Sequence, residues 1–257
     1  MDVVHCILDP ARGRHPGLAD QHACALAIMT KAPRAGNVKT RLVPPLTPNQ
    51  AAELNRCFLR DTARAISGVG PPAIGVAVYT PIGAEAIYAD VLPPDFFLVP
   101  QRGEHFGDRL SFATADLFDC GFQSVCLIDS DSPTVPALAY KQAVKKLSAP
   151  GDRVVLGPTE DGGYYLIGLK QPSSILFERI DWSTERVFEQ TLQRAEEIGV
   201  SVEHLPIGFD VDDRASLERL DKELFTTGAG KDVAPHTRRF LATLRDKILM
   251  RPHSLLL

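Results

Sequence analysis

Ser124-Val125-Cys126-Leu127-Ile128 runs directly into Asp129-Ser130-Asp131-Ser132-Pro133, and this junction decides the fold. The first half is an apolar run of strand length, the pattern of a strand covered on both faces. The second half is an acidic turn. A strand covered twice belongs to a sheet with helices above and below it. In such sheets ligands gather at the carboxyl ends of the strands, which is where the acidic turn falls.

The same alternation extends outward. Upstream, residues 23–29 form a continuous apolar run. Residues 47–66 follow as a helix with Ala51, Ala52, Leu54, Phe58, Leu59 and Ala63 on one side. Thr47 and Gln50 are spaced as a capping box at its start. Strands are expected over 73–79 and 96–99, and a helix over 107–118. Downstream the pattern predicts helices over 136–147, 184–198 and 214–224, with strands over 153–156, 164–169 and 201–205. Residues 226–231 read as a linker to a last helix over 235–249. Strands alternating with helices predict one Rossmann-like α/β domain with a mainly parallel sheet. That domain occupies residues 23–225, after a mobile N-terminal extension at 1–22 and before a linker and C-terminal helix at 226–257.

The bulk properties narrow the function. The chain has 257 residues and a net charge of −4, without the basic surplus of a general nucleic-acid binder. No apolar run reaches the roughly 18–20 residues of a membrane span. The first residues mix Asp2, Asp9, Arg12 and Arg14 with apolar ones, unlike a secretory signal. Five cysteines with no C-x-x-C pair fit reduced thiols rather than a disulfide or zinc framework. A cytoplasmic protein is expected, with no nucleic-acid or membrane partner. The tail at 255–257 is compatible with a homodimer interface.

Four polar clusters follow strand ends. Lys31, Arg34, Lys39 and Arg41 crowd a loop that also holds Pro33 and Gly36. Cations this close repel one another unless an anion lies among them, and a di- or triphosphate supplies one; a solvated basic loop is the alternative. No glycine immediately precedes Lys39, and no G-x-G-x-x-G occurs anywhere in the chain. A P-loop NTPase and an NAD dehydrogenase are thereby disfavoured. Asp129 and Asp131 can share a hard cation such as Mg2+ or Mn2+, although aspartate is also a common turn residue. Asp161-Gly162-Gly163 reads either as a hairpin turn or as backbone approaching a ligand. Asp210-Val211-Asp212-Asp213 opens a helix: Asp212 or Asp213 suits its cap, whereas Asp210 precedes it. Each cluster has an ordinary explanation, but one basic and two acidic loops at one sheet edge fit a phosphate-plus-metal site.

KAPRAGNVKTRL (31–42), FGDRL (106–110), IDSDSPTVP (128–136), GPTEDGGYYLIGL (157–169), IDWST (180–184) and FDVDD (209–213) together resemble a bacterial family of the GT-A superfamily. These are nucleotide-diphospho-sugar transferases, usually described as rSAM/selenodomain-associated transferases or glycosyltransferases. The resemblance implies a single GT-A domain with a mixed, mainly parallel sheet. The chain is also similar to molybdopterin and phospholactate guanylyltransferases, at the basic loop, at Asp131-Ser132-Pro133 and at Asp210-Val211-Asp212. It departs from the nucleotidyltransferase pattern where Thr30-Lys31-Ala32-Pro33 replaces a glycine-rich loop start.

These readings assign Asp129, Asp131, Asp210 and Asp212 to the metal, and Lys31, Arg34, Gly36, Lys39, Arg41 and Gln101 to the nucleotide. Lys39 and Arg41 would stabilise developing charge, and Asp161 (or Glu160) would serve as base. Gly162, Gly163, Tyr164 and Trp182 would meet a small-molecule acceptor, although Trp182 reads equally as a core residue. The four cations favour nucleotidyl transfer from an NTP with release of pyrophosphate. Glycosyl transfer from an NDP-sugar is the alternative, and a non-catalytic nucleotide-binding protein a lesser one.

Overall fold

In strand β2 (Cys24–Lys31) successive side chains enter opposite cores. Leu26 and Ile28 join Leu59, Ala63 and Ile66 of helix α1 (Pro48–Ser67) and Tyr140, Ala143 and Leu147 of α3 (Ala137–Ser148). Ala25 and Ala27 join Leu110, Ala113 and Leu117 of α2 (Phe106–Asp119) and Ala195 of α4 (Val187–Glu197). This period of two, buried on both sides, makes the sheet the middle of three layers. The computed structural model describes residues 4–18, 22–226 and 232–245.

The other strands are β1 (Cys6–Ile7), β3 (Ala73–Thr80), β4 (Phe97–Pro100), β5 (Ser124–Ile128), β6 (Arg153–Pro158), β7 (Tyr164–Leu169) and β8 (Ser201–His204). They lie in the order β1-β4-β3-β2-β5-β7-β6-β8. Every pair is parallel except the two that flank β7. The five-residue connection from β6 cannot carry a parallel crossover, so β7 must run back beside it. Ile128 pairs with Leu166. The start of β7, and the turn before it, therefore share the edge at which β5 ends.

The capping box of Thr47 and Gln50 opens α1. Part of the N-terminal stretch read as an extension lies on the sheet: Cys6 and Ile7 pair with Phe97 and Leu98, and Leu8 is buried. A two-residue ladder is too short to leave a periodicity in sequence. At the other end, α5 (Arg214–Phe225) and α6 (Pro235–Leu244) close a third core with Leu54 and Phe58 of α1. Asp61 of α1 accepts from the His236 and Thr237 N–H groups at the start of α6. Most of the expected linker and the tail at 255–257 lie outside the described residues. Among the described residues, no helix is long and apolar enough to cross a membrane.

Candidate active site

The apolar run of β5 delivers Asp129 into a half-buried position at the sheet edge. There the carboxylate folds the turn that follows. Oδ1 accepts from the Asp131 and Ser132 N–H groups at 3.3 Å each, and Oδ2 accepts from Ser132 Oγ at 2.7 Å. Burial and the neighbouring Asp131 charge push its pKa up to about 8, against the opposing pull of these hydrogen bonds and of Lys39. Asp129 thus shapes the loop, and Asp131 is presented by it.

Asp131 meets the basic loop at Lys39. The Lys39 Nζ lies 2.6 Å from Asp131 Oδ1 and 2.8 Å from Asp212 Oδ1, and donates to the Val211 carbonyl at 2.9 Å. Only 4% of the Lys39 side chain is exposed. Burial works against its charge, but the two carboxylates outweigh it and hold the ammonium above the ordinary lysine pKa. Lys39, expected to hold phosphate, is engaged in this structure by these three acceptors while still lining the chamber described below. Among the described residues Lys31, Arg34 and Arg41 form no salt bridge, although the Arg41 charge helps hold the Asp212 and Asp213 carboxyls below their ordinary pKa. Asp210 stands close to these groups, its pKa raised to about 6 by burial and by the Asp161 and Asp212 charges.

Two chambers open at this edge. The smaller, about 280 Å³, is lined by Lys31, Lys39, Arg41, Ser130, Asp131 and Asp212. The larger, about 490 Å³, brings Asp129, Asp161, Gly163, Tyr164 and Trp182 together with Phe106 and Leu110. Arg41 and Asp212 line both and form the wall between them. Arg34 and Gly36 lie outside both chambers. So does Gln101, whose amide donates to the Val78 and Thr30 carbonyls at 2.8 and 3.4 Å and ties strand ends together.

The turn between β6 and β7 forms one side of the larger chamber. Asp161 Oδ1 accepts from Thr159 Oγ1 at 2.6 Å and from the Gly163 N–H at 3.1 Å, which leaves Oδ2 outside these bonds. Glu160 turns the other way, into a bidentate pair with Arg219 at 2.6 Å on both arms, so of these two neighbours it is Asp161 that lines the chamber. Gly162 has a φ of +88°, and a Cβ there would lie 2.1 Å from the Glu185 carbonyl oxygen. The close approach it permits is to the protein's own backbone rather than to a ligand.

Residues 182–187 close the chamber opposite. Trp182 packs edge-on against Phe106, with centroids 5.0 Å apart. Gly107 leaves it room, since a Cβ there would stand 2.8 Å from the indole Nε1. Phe106, half exposed, was not singled out in sequence. An aromatic residue beside a glycine at a helix start was the available signal.

The donor set suits a hard divalent cation. Asp131 and Asp212 already converge on one positive nitrogen, and Mg2+ characteristically takes one or two carboxylates plus substrate phosphates. Among the described residues, no three His, Cys, Asp or Glu side chains form a ready cage.

The fold and this edge define the class: the chain has the GT-A fold of the nucleotide-diphospho-sugar transferases. Residues 71–184, from near β3 to the 182–187 segment, match the model of a family described as "Uncharacterized protein conserved in bacteria (DUF2064)". A protein of Desulfovibrio desulfuricans G20, provisionally described as a nucleotide-diphospho-sugar transferase, is 27% identical. Its TM-score is 0.78, over 89% of this chain and 97% of that one. CMP:2-keto-3-deoxy-manno-octonic acid synthetase complexed with CTP is 12% identical, with a TM-score of 0.51 over 77% of this chain and 96% of that one. A cytidylyltransferase of Leptospira borgpetersenii serovar Hardjo-bovis is 11% identical, with a TM-score of 0.50 over 89% and 98%. The last two share the fold alone. No curated protein matches the chain.

Proposed function

We propose that the chain transfers a glycosyl group from a nucleoside-diphosphate sugar to a small acceptor, assisted by Mg2+ or Mn2+. The observation that carries this reading is the shared wall of Arg41 and Asp212 between a basic chamber and a larger, partly aromatic one. The count of four cations in the sequence by itself favours nucleotidyl transfer. Among the described residues lining the basic chamber, Lys31 and Arg41 are the cations without a salt bridge, although the Arg41 charge also acts on Asp212; two such cations suit a diphosphate better than a triphosphate.

In this reading the diphosphate lies against Lys31 and Arg41, and the sugar crosses the wall into the larger chamber. Asp131 and Asp212, with Asp210 beside them, would hold the cation in the place of the Lys39 ammonium. When bound, the cation supplies charge neutralisation for the departing diphosphate. Arg41 at the wall does the same from the protein side. Asp161 Oδ2 takes the proton of the acceptor hydroxyl. The acceptor oxygen bonds to the anomeric carbon as the bond from that carbon to the diphosphate oxygen breaks, and the electron pair leaves with the nucleoside diphosphate. Trp182 and Phe106 offer an apolar wall against which an acceptor or sugar ring can lie.

A second reading, nucleotidyl transfer from an NTP, draws support from Lys39: released from its carboxylates by a bound cation, it becomes a third positive group beside the chamber. Product analysis separates the two. The chain is incubated with NDP-sugars and with NTPs, each with Mg2+ or Mn2+ and mixed acceptors. Glycosyl transfer releases the nucleoside diphosphate, whereas nucleotidyl transfer releases pyrophosphate. Thermal stabilisation by NDP-sugar and NDP but not by NTP is expected. No stabilisation by any nucleotide would remove both readings.

A further inference from the structure

Arg41 is the one cation among the described residues that line the larger chamber, and it stands at the wall shared with the smaller one. The carboxylates around it are unequally engaged. Asp129 spends both oxygens on its own turn, and Asp212 faces the Lys39 ammonium. Asp161 keeps Oδ2 outside its bonds to Thr159 and Gly163. Glu185 lines the same chamber, is exposed, and forms no salt bridge or side-chain hydrogen bond among the described residues. Trp182 and the half-exposed Phe106 stand there as well, and the faces of such rings attract a cation. Beyond Arg41, then, the chamber presents negative charge beside aromatic rings, and no group that would neutralise an anion.

We infer that the acceptor is a hydroxyl-bearing amine with an apolar ring or chain, its ammonium held by the Glu185 carboxylate and the Trp182–Phe106 pair. This rests on reading the larger chamber as the acceptor side of a transferase. An aliphatic amine has a pKa of about 10 and stays charged at neutral pH. Its nitrogen gains from the carboxylate and the rings together, and its apolar part fills the space lined by Leu110 and Ile167. Its hydroxyl is left to reach Asp161. A neutral sugar would stack on Trp182 without using the Glu185 charge. A phosphorylated or carboxylated acceptor would meet Asp161 and Glu185 as like charges, which is how a site rejects the wrong partner. Arg41 offers it no refuge, because the departing diphosphate claims that cation.

Trp182 is the only tryptophan in the chain, so its fluorescence, excited where tyrosine does not absorb, reports on this chamber. The probes are 2-phenylethylamine, 2-phenylethanol and phenylacetate, which share a ring and differ in charge. Each is titrated into the full chain with Mg2+ and inorganic pyrophosphate present. The amine is expected to bind about tenfold more tightly than the alcohol, with the carboxylate weakest. Glu185→Gln, at an exposed position where the fold should hold, and Phe106→Leu should each cut the ratio of amine to alcohol affinity by about threefold. Equal binding of the three probes, a preference for the carboxylate, a ratio unchanged in both variants, or a silent Trp182 overturns the inference. Calorimetric titration of pyrophosphate with Mg2+ reports separately on the smaller chamber. Pyrophosphate binding without the amine preference overturns the acceptor class and leaves the transferase reading standing. No pyrophosphate binding overturns the transfer, and with it the amine's role as acceptor.

Discussion

The Lys39 ammonium stands 2.6 Å from Asp131 and 2.8 Å from Asp212, so one buried cation ties the turn after β5 to the loop before α5. Lys39 adopts a left-handed backbone conformation with φ of +49°, uncommon for a residue with a side chain and frequent at functional sites. The arrangement holds two carboxylates against one ammonium and keeps their charges compensated.

Removing that ammonium should expose what it compensates. Lys39→Met keeps the stem and deletes the charge. The cost of breaking a buried pair is about 3–5 kcal/mol. Asp131 and Asp212 are 31% and 42% exposed, so water carries part of it and about 1–3 kcal/mol is expected. Millimolar Mg2+ should recover more of the melting temperature in the variant than in the unaltered chain, because the freed carboxylates gain most from a new cation. Equal metal responses in both proteins would count against a cation site at this pair.

Asp131→Asn tests the same pair through turnover. The amide keeps the volume and loses the negative charge, so the fold should hold while the rate falls by about 100-fold or more. Melting curves and an assay of nucleoside diphosphate release check the two halves. Turnover near that of the unaltered chain would take Asp131 out of the cation site.

Gly162→Ala should be among the most damaging single-methyl additions to the chain. It places a Cβ 2.1 Å from the Glu185 carbonyl oxygen at a φ of +88°, a steric conflict on top of the left-handed penalty of about 1–2 kcal/mol. A total loss of about 2–4 kcal/mol is expected, with a raised KM for the acceptor as residues 182–187 are pushed off the turn. Gly163→Ala is the control. Its Cβ meets the Thr159 hydroxyl at 3.0 Å without a positive φ, a contact that a shift of a few tenths of an ångström relieves, so stability should fall less. Equal destabilisation by urea denaturation would show that the Glu185 contact is not what fixes residue 162.

The layers were legible because burial leaves a period in sequence. The continuous apolar run of β2 and the capping box of Thr47 and Gln50 are both visible in the sequence. The antiparallel setting of β7 was legible only through the short turn before it. β1 was not, since two ladder residues carry no pattern. In the candidate site, residue types marked the loops but not the directions of the side chains. Lys39 looked like one of four equivalent cations; its burial under two carboxylates depends on a contact with Asp212, far off in the chain. Glu160 and Asp161 are neighbours in sequence and face opposite ways because Arg219 holds only the first.

The Asp129 carboxyl should set the pH response of the metal-free protein. Its pKa is about 8 in the folded chain and about 3.9 when unfolded. Between these values the folded state holds a proton that the unfolded state has released. Stability is then greatest at the acid end of that window and falls as pH rises, by at most about 1.4 kcal/mol per pH unit. Asp210, raised to about 6, adds a slope of the same sign below that pH. Asp129→Asn keeps a neutral group that can still accept from the Asp131 and Ser132 N–H groups, and Ser132 can turn its hydroxyl to accept in return. The variant should fold, lose the slope between pH 6 and 8, and retain the part below 6 that belongs to Asp210. Urea unfolding across pH 5 to 8.5, with chelator present, checks this. An unchanged slope between pH 6 and 8 would mean that Asp129 is already ionised at neutral pH, and that the Lys39 ammonium and the turn's N–H groups outweigh the cost of burying its charge.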